Sequence, residues 1–249
     1  MTLSEHLVVV PARRAATRLP QKLLLAESGK PLLAHTLERC LLSEKADCVL
    51  AAVDCEELAE VARAVGAKAV LTDPNLPSGS DRVHAAVQAY GKSVQGIVNV
   101  QGDEPEMDPL AIDALFDSLD SGAEVVTLCA PLPSKSLLDD PAAVKVVRDL
   151  DGQALFFSRS PTPFQQNCPD SSDPMLHIGL YGYTPEALAQ FSNWAPTPLE
   201  LKEGLEQLRF LEHGKTIQVL KWGQAFPGID TREDYDAFLL RFQHDAPST

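Results

Sequence analysis

Residues 6–22 read HLVVVPARRAATRLPQK, an apolar and largely β-branched run halted by Pro11 and followed by a loop that carries Arg13, Arg14, Arg18 and Lys22. The run predicts a strand over 6–11. Its lack of polar alternation places it inside a parallel sheet covered on both faces. In open α/β sheets ligands bind outside the carboxyl ends of the strands, and Arg or Lys there neutralises phosphate oxygens. A solvated basic loop accounts for the same residues, since surface cations are common.

The strand, loop and helix unit recurs outward from this stretch. Residues 31–43 carry helical apolar spacing at Leu33, Leu37, Cys40 and Leu41, and 48–53 read as a strand. A helix over 56–65 ended by Gly66, a strand over 68–71 and a helix over 81–90 follow, then strand 96–100, helix 110–119 and strand 123–130. This alternation predicts an α/β fold with a mostly parallel sheet. Past Pro131 the rhythm changes: 144–149, the Asp151-Gly152 turn and 154–159 predict a β-hairpin. Residues 160–174, rich in Pro, Ser, Gln and Asp, read as a mobile loop. Strand 177–183, helix 185–191, one long helix over 199–212, strand 216–221 and a last helix over 231–242, N-capped by Thr231, complete the reading.

At 249 residues, 45% apolar and 22% charged, the chain reads as globular. A chain of this length buries roughly 70–75% of its unfolded surface, so staples are unnecessary. The 21 Lys and Arg against 35 Asp and Glu leave a net charge of −14, which opposes nucleic acid and anionic lipid over most of the surface. The basic loop is the local exception. Five cysteines, Cys40, Cys48, Cys55, Cys129 and Cys168, without a C-x-x-C, fit reduced thiols. With no apolar run of membrane-spanning length and no signal-peptide pattern at the N-terminus, the expectation is a cytoplasmic protein that inserts in no membrane.

Neither G-x-G-x-x-G nor G-x-x-x-x-G-K-[ST] occurs, which disfavours a dinucleotide-dependent dehydrogenase and a P-loop enzyme. Other segments carry chemistry. In QGDEP, residues 101–105, Gly102 lets a backbone approach a ligand and Asp103 offers a hard carboxylate to a cation such as Mg²⁺; a turn with a capping acid is the alternative. Asp230, in the turn PGIDT at 227–231, is either a second metal ligand or an acid near a helix N-cap. Ser78-Gly79-Ser80-Asp81-Arg82 leads into a helix whose N–H groups suit an anion or a base edge. A polar set follows in the second half: Arg159, His177, Tyr183, Glu206, Gln207 and Arg209. His177 and Tyr183 are an even number of residues apart on one strand, so both can face one side, while Glu206 and Gln207 fall in the predicted long helix.

Taken in order, VVVPARRAATRLPQKLL (8–24), LPSGSDR (76–82), VNVQGDEP (98–105), AVKVV (143–147), FFSRSP (156–161), HIGLYGY (177–183), LEQLRFLEHGKTIQV (205–219) and PGIDTREDY (227–235) resemble the 3-deoxy-manno-octulosonate cytidylyltransferases. The resemblance spans nearly the whole chain. It implies a single nucleotidyltransferase domain over 1–249, Rossmann-like, with a twisted, mostly parallel sheet, flanking helices and a β-hairpin dimerisation lobe. The nucleotide part covers about 1–130, the sugar and dimerisation part about 131–225, and a metal turn with its helix about 226–243. It also implies the reaction: the 2-hydroxyl of 3-deoxy-D-manno-octulosonate (Kdo) attacks the α-phosphorus of CTP, pyrophosphate leaves, and Mg²⁺ screens the phosphates, activating the sugar for lipopolysaccharide synthesis in a homodimeric enzyme.

By the same resemblance Pro11, Ala12, Arg13, Arg18, Lys22, Ser78, Arg82 and Gln101 bind nucleotide. Lys22, Asp103 and Asp230 are catalytic, with Asp103 and Asp230 as Mg²⁺ ligands, and Gln101, Arg159, His177, Tyr183, Glu206 and Gln207 line the sugar-acid pocket. Gln21 stands where the family usually has Gly, and Leu23 where it usually has Pro. The competing readings are a sister enzyme acting on 8-amino-Kdo or a sialic-type nonulosonate, and a catalytically silent paralogue that binds nucleotide.

Overall fold

The structure, a computed structural model, describes residues 4–15, 18–164, 166 and 174–245. In chain order its elements are β1 (Glu5–Ala12), a 3₁₀ turn (Lys22–Leu24), α1 (Leu32–Cys40), β2 (Cys48–Val53), α2 (Glu56–Ala64), β3 (Lys68–Leu71), α3 (Gly79–Tyr90), β4 (Val94–Asn99), α4 (Pro109–Asp120), β5 (Val125–Pro131), a second 3₁₀ turn (Lys135–Leu138), β6 (Lys145–Arg148), β7 (Ala154–Ser158), β8 (Met175–Tyr183), α5 (Pro185–Asn193), α6 (Pro198–Glu203), α7 (Leu208–Glu212), β9 (Gln218–Lys221) and α8 (Arg232–Asp245). They fall into two compact units, Met1–Phe116 with Phe226–Thr249, and Asp117–Ala225.

In the first unit the apolar run Leu7–Val10 is completely buried in β1. β1 pairs with β2 on one side and β4 on the other, and β2 pairs with β3, all parallel, in the order β3-β2-β1-β4. A helix returns the chain between each pair of consecutive strands, which is the connection that parallel pairing requires. The chain leaves β1 in one direction for β2 and β3 and comes back to its other side with β4, so the order reverses between β1 and β4. A crevice beyond their carboxyl ends is where such a sheet takes its ligand.

The C-terminal segment belongs to this unit. Ile229, Tyr235 and Phe238 are buried, and the edges of Phe238 and Phe242 meet the His35 ring at centroid distances of 5.1 and 4.7 Å. Each fully buried large apolar side chain stabilises the fold by about 1.5–3 kcal/mol relative to exposure. Docking α8 this way brings the turn that precedes it to β4: Ile229 N–H donates to Asp103 O at 3.0 Å.

In the second unit β5 pairs parallel with β9 and antiparallel with β8, while β6 and β7 form the predicted hairpin, with Val146 opposite Phe157. β6 also pairs antiparallel with β8. The mostly parallel reading therefore describes the first unit; here a connection too short for a crossover makes the β6–β7 pair antiparallel.

The long helix expected over 199–212 is two. Gly204 takes a left-handed conformation (φ +62°) that ends α6, and Leu205 N–H turns back to Glu200 O at 3.2 Å. Glu206 and Gln207 consequently sit in the corner between α6 and α7 and not on a helix face. A buried ion pair spans the corner: Arg209 Nε donates to Glu200 Oε2 at 2.7 Å, and its second arm reaches Glu200 Oε1. The guanidinium also lies 4.0 Å over the Phe191 ring.

The segment expected as a mobile loop lies partly outside the described residues, as does Cys168; its described residues belong to no helix or strand. Cys40, Cys48 and Cys129 are buried thiols and Cys55 is half-buried. No helix among the described residues is long and apolar enough to cross a membrane.

Candidate active site

The loop after β1 and the loop after β4 face each other at the reversal point. Between them lies a cavity of about 250 Å³ lined by Pro11, Arg13, Ala15, Arg18, Leu19, Lys22, Leu23, Gln101, Gly102, Asp103 and Asp230. Gly102 makes the close approach possible: a Cβ there would stand 3.2 Å from Pro11 O and 3.5 Å from Leu23 Cδ1. Lys22 is aimed inward because Leu23 is buried beside it and Gln21 takes a left-handed turn (φ +55°) just before it.

Lys22 Nζ donates to Asp103 Oδ2 at 2.5 Å, to Asp230 Oδ1 at 2.9 Å and to Ile229 O at 2.8 Å. Arg18 approaches the other oxygen of Asp230 at 3.2 Å. Burial works against the charge on Lys22, but the carboxylates of Asp103 and Asp230 outweigh it and hold the ammonium above its ordinary value. Asp230 is thus no helix cap. That role falls to Thr231, which accepts Asp234 N–H at 3.2 Å, and to Asp234, which accepts the N–H groups of Asp230 and Thr231 at 3.1 and 2.9 Å.

Arg13 is exposed on the cavity wall, whereas Ala12 is buried at the end of β1. Ser78 caps α3 by accepting Asp81 N–H at 3.1 Å and donates to Asp81 Oδ2 at 2.7 Å. Arg82 is buried and donates to Thr72 Oγ1 at 2.5 Å. Neither Ser78 nor Arg82 is among the residues that line the cavity.

The polar set of the second unit gathers around β8. His177 meets Phe157 edge-on at 5.1 Å and Tyr181 at 5.3 Å, with Nε2 3.2 Å from Thr127 Oγ1. Burial pushes His177 down to about 3, so it is neutral at pH 7. Tyr181 stacks on Tyr183 at 5.7 Å, and Tyr183 on Phe210 at 5.9 Å, which puts His177, Tyr181 and Tyr183 in one row. The even spacing survives although β8 carries an irregularity opposite Thr127 and Leu128. Arg159 donates to Glu203 O and Pro141 O, each at 2.7 Å, and to Gly204 O at 3.2 Å, so it anchors the α6 end of the corner that bears Glu206 and Gln207. Gln207 is buried, and its Nε2 has no hydrogen-bond partner among the described residues.

Residues 7–217 match the family model described as cytidylyltransferase. A protein of Anaeromyxobacter dehalogenans named 3-deoxy-manno-octulosonate cytidylyltransferase is 41% identical over 229 residues, 92% of this chain and 94% of its own. A protein of Chloroherpeton thalassium with the same name is 42% identical over 91% of this chain and 93% of its own. The chain belongs to the 3-deoxy-manno-octulosonate cytidylyltransferase family. A solved CMP:2-keto-3-deoxy-manno-octonic acid synthetase in complex with CTP superposes with a TM-score of 0.91 at 32% identity, covering 97% of this chain and all of that one.

As a cytidylyltransferase, the chain is an enzyme that moves a nucleotidyl group, and its departure at Gln21 acquires a physical meaning. Among the described residues Gln21 is the one non-glycine with positive φ, at the position where the family usually has Gly. The turn is left-handed here without the residue that makes such a turn easy. Two site neighbours escaped the sequence reading. Tyr181 looks like an ordinary strand aromatic until its ring is seen between His177 and Tyr183. Glu104 looks like a second acid beside Asp103, but burial and the neighbouring Asp103 charge push it up to about 8, so it adds no full negative charge at pH 7.

Proposed function

We propose that this chain transfers CMP from CTP to the 2-hydroxyl of Kdo, releasing pyrophosphate and making the activated sugar for lipopolysaccharide assembly. The observation that carries this reading is the convergence of Lys22, Asp103 and Asp230 in a cavity also lined by Arg13 and Arg18 at the sheet's reversal point. Phosphoryl transfer of this kind is mostly positioning and charge neutralisation. Arg13, Arg18 and Lys22 bind the triphosphate, and Gln101, which lines the same cavity, contacts nucleotide and sugar. Arg159, His177, Tyr183, Glu206 and Gln207 orient the sugar acid, with His177 as a neutral hydrogen-bonding ring.

The donor set also fits a divalent metal. Two carboxylates and the Ile229 carbonyl meet around one cation, and hard oxygens are what Mg²⁺ takes, usually through one or two carboxylates plus substrate phosphates and water. Asp103 and Asp230, which meet at one cation, are the protein's share of that site. When bound, Mg²⁺ supplies charge neutralisation for the triphosphate.

Pyrophosphate release with CTP and Mg²⁺ in the presence of Kdo, 8-amino-Kdo or N-acetylneuraminate, each offered separately, tests the reading. Release with Kdo alone is the expected result. Release only with another sugar moves the acceptor assignment, and silence with all three overturns the reading.

A further inference from the structure

An ammonium group has three N–H donors and no acceptor. In Lys22 all three have partners, Asp103 Oδ2, Asp230 Oδ1 and Ile229 O, at 2.5, 2.9 and 2.8 Å. No donor is left for a phosphate oxygen. Lys22 can therefore take a phosphate oxygen only by releasing one of these contacts, whereas the carboxylates keep further lone pairs, and a metal drawn to both of them competes with the ammonium for the space between. Lys22 is also the only group that touches both carboxylates among the described residues; Arg18 reaches Asp230 alone. Drawing a lone carboxylate pair together costs Coulomb energy that a cation between them removes.

We propose that Lys22 is an exchangeable internal cation: its ammonium occupies the divalent-metal position between Asp103 and Asp230 in the ligand-free protein and leaves it when a triphosphate arrives. This rests on the assignment of Asp103 and Asp230 as metal ligands made above. The exchange needs no proton transfer, because the ammonium stays charged and only changes partners, from carboxylates to phosphate oxygens. It makes nucleotide and metal binding mutually reinforcing: the triphosphate withdraws the competing cation, and the metal restores the charge balance the lysine abandons. By linkage the coupling is reciprocal. Metal alone meets a site that already holds a positive charge.

The test is Mn²⁺ binding to the full chain without nucleotide, followed by the electron paramagnetic resonance of unbound Mn²⁺, so turnover plays no part. Lys22→Met should bind Mn²⁺ about tenfold or more tightly than the unaltered protein, a gain in the usual range of site coupling. Adding Asp103→Asn to Lys22→Met should abolish the gain. If Lys22→Met binds no more tightly while Asp103→Asn still weakens binding to the unaltered protein, the lysine proposal fails and the ligand assignment stands. If the gain persists without Asp103, both fall. Should Lys22→Met not fold, the unaltered protein answers the question through reductive methylation of Lys22: excess Mg²⁺ alone should accelerate it several-fold relative to the exposed Lys202, and an unchanged rate overturns the proposal.

Discussion

Asp103 and Asp230 present their carboxylates to one nitrogen atom, Asp103 Oδ2 at 2.5 Å and Asp230 Oδ1 at 2.9 Å from Lys22 Nζ. The two residues come from the two separate chain segments that make up the first unit, and the Ile229 N–H bond to Asp103 O holds the turn of one against the loop of the other. Asp103→Asn and Asp230→Asn preserve shape and remove charge. Each should lower kcat/KM for CTP by at least about a hundredfold, as loss of a charge-stabilising group does. Far-UV circular dichroism should stay unchanged. Near-normal kcat/KM in either variant would remove that carboxylate from the site.

Gln21 holds a left-handed backbone (φ +55°, ψ +29°) at an exposed position. A non-glycine there costs about 1–2 kcal/mol, while Gly loses about 0.5–1 kcal/mol more chain entropy on folding. Gln21→Gly should therefore leave stability within about 1 kcal/mol of the starting protein or raise it, and Gln21→Val should lower it by more than about 1 kcal/mol. Urea denaturation midpoints decide; a stabilised Val variant contradicts the turn geometry.

Much of this fold was legible because burial was written as continuous apolar sequence. The strand Cys48–Val53, buried throughout, is legible to the residue for this reason, whereas Lys68–Leu71, exposed at both ends, is legible from its place between two helical patterns, and the Asp151-Gly152 turn marks the hairpin. The α6–α7 break was not, because Leu201, Leu205 and Leu208 keep helical spacing straight through Gly204, and a glycine within a helical pattern is locally ambiguous. Asp230 stayed divided between cap and ligand for a different reason. Its neighbours in sequence describe a helix start, and only the docking of α8 decides which way its carboxylate faces. Glu104 and Tyr181 were missed because their character comes from burial.

The Arg209–Glu200 pair is buried on both sides and spans the corner that carries Glu206 and Gln207. Arg209→Met leaves an unpaired carboxylate inside and should cost about 3–5 kcal/mol, whereas replacing both residues with Met should recover most of the loss. Guanidinium unfolding of the two single variants and the double variant measures the coupling. Additive losses would show that the pair does not act as a unit.

His35 gives the fold a pH dependence. Burial first, then the Lys30 charge, against an opposing pull from Glu38, push it from 6.5 down to about 4. Between those values the unfolded chain binds a proton that the native chain refuses, so stability falls as pH drops through this window and is unaffected by His35 above it. From pH 7 to pH 5 the loss amounts to about 2 kcal/mol. His35→Phe, placed against Phe238 and Phe242, should show a drop smaller by about that amount in urea titrations at the two pH values. Equal drops would contradict the burial argument.

The most direct test of CMP transfer follows the phosphorus. With Kdo, Mg²⁺ and CTP labelled with ³²P at the α position, the label should appear in a product that also carries the sugar, while CTP labelled at the γ position should deliver its label to pyrophosphate. Sugar product without α-label, or α-label that remains in CTP and free CMP, would contradict the assignment of this cavity to attack at the α-phosphorus.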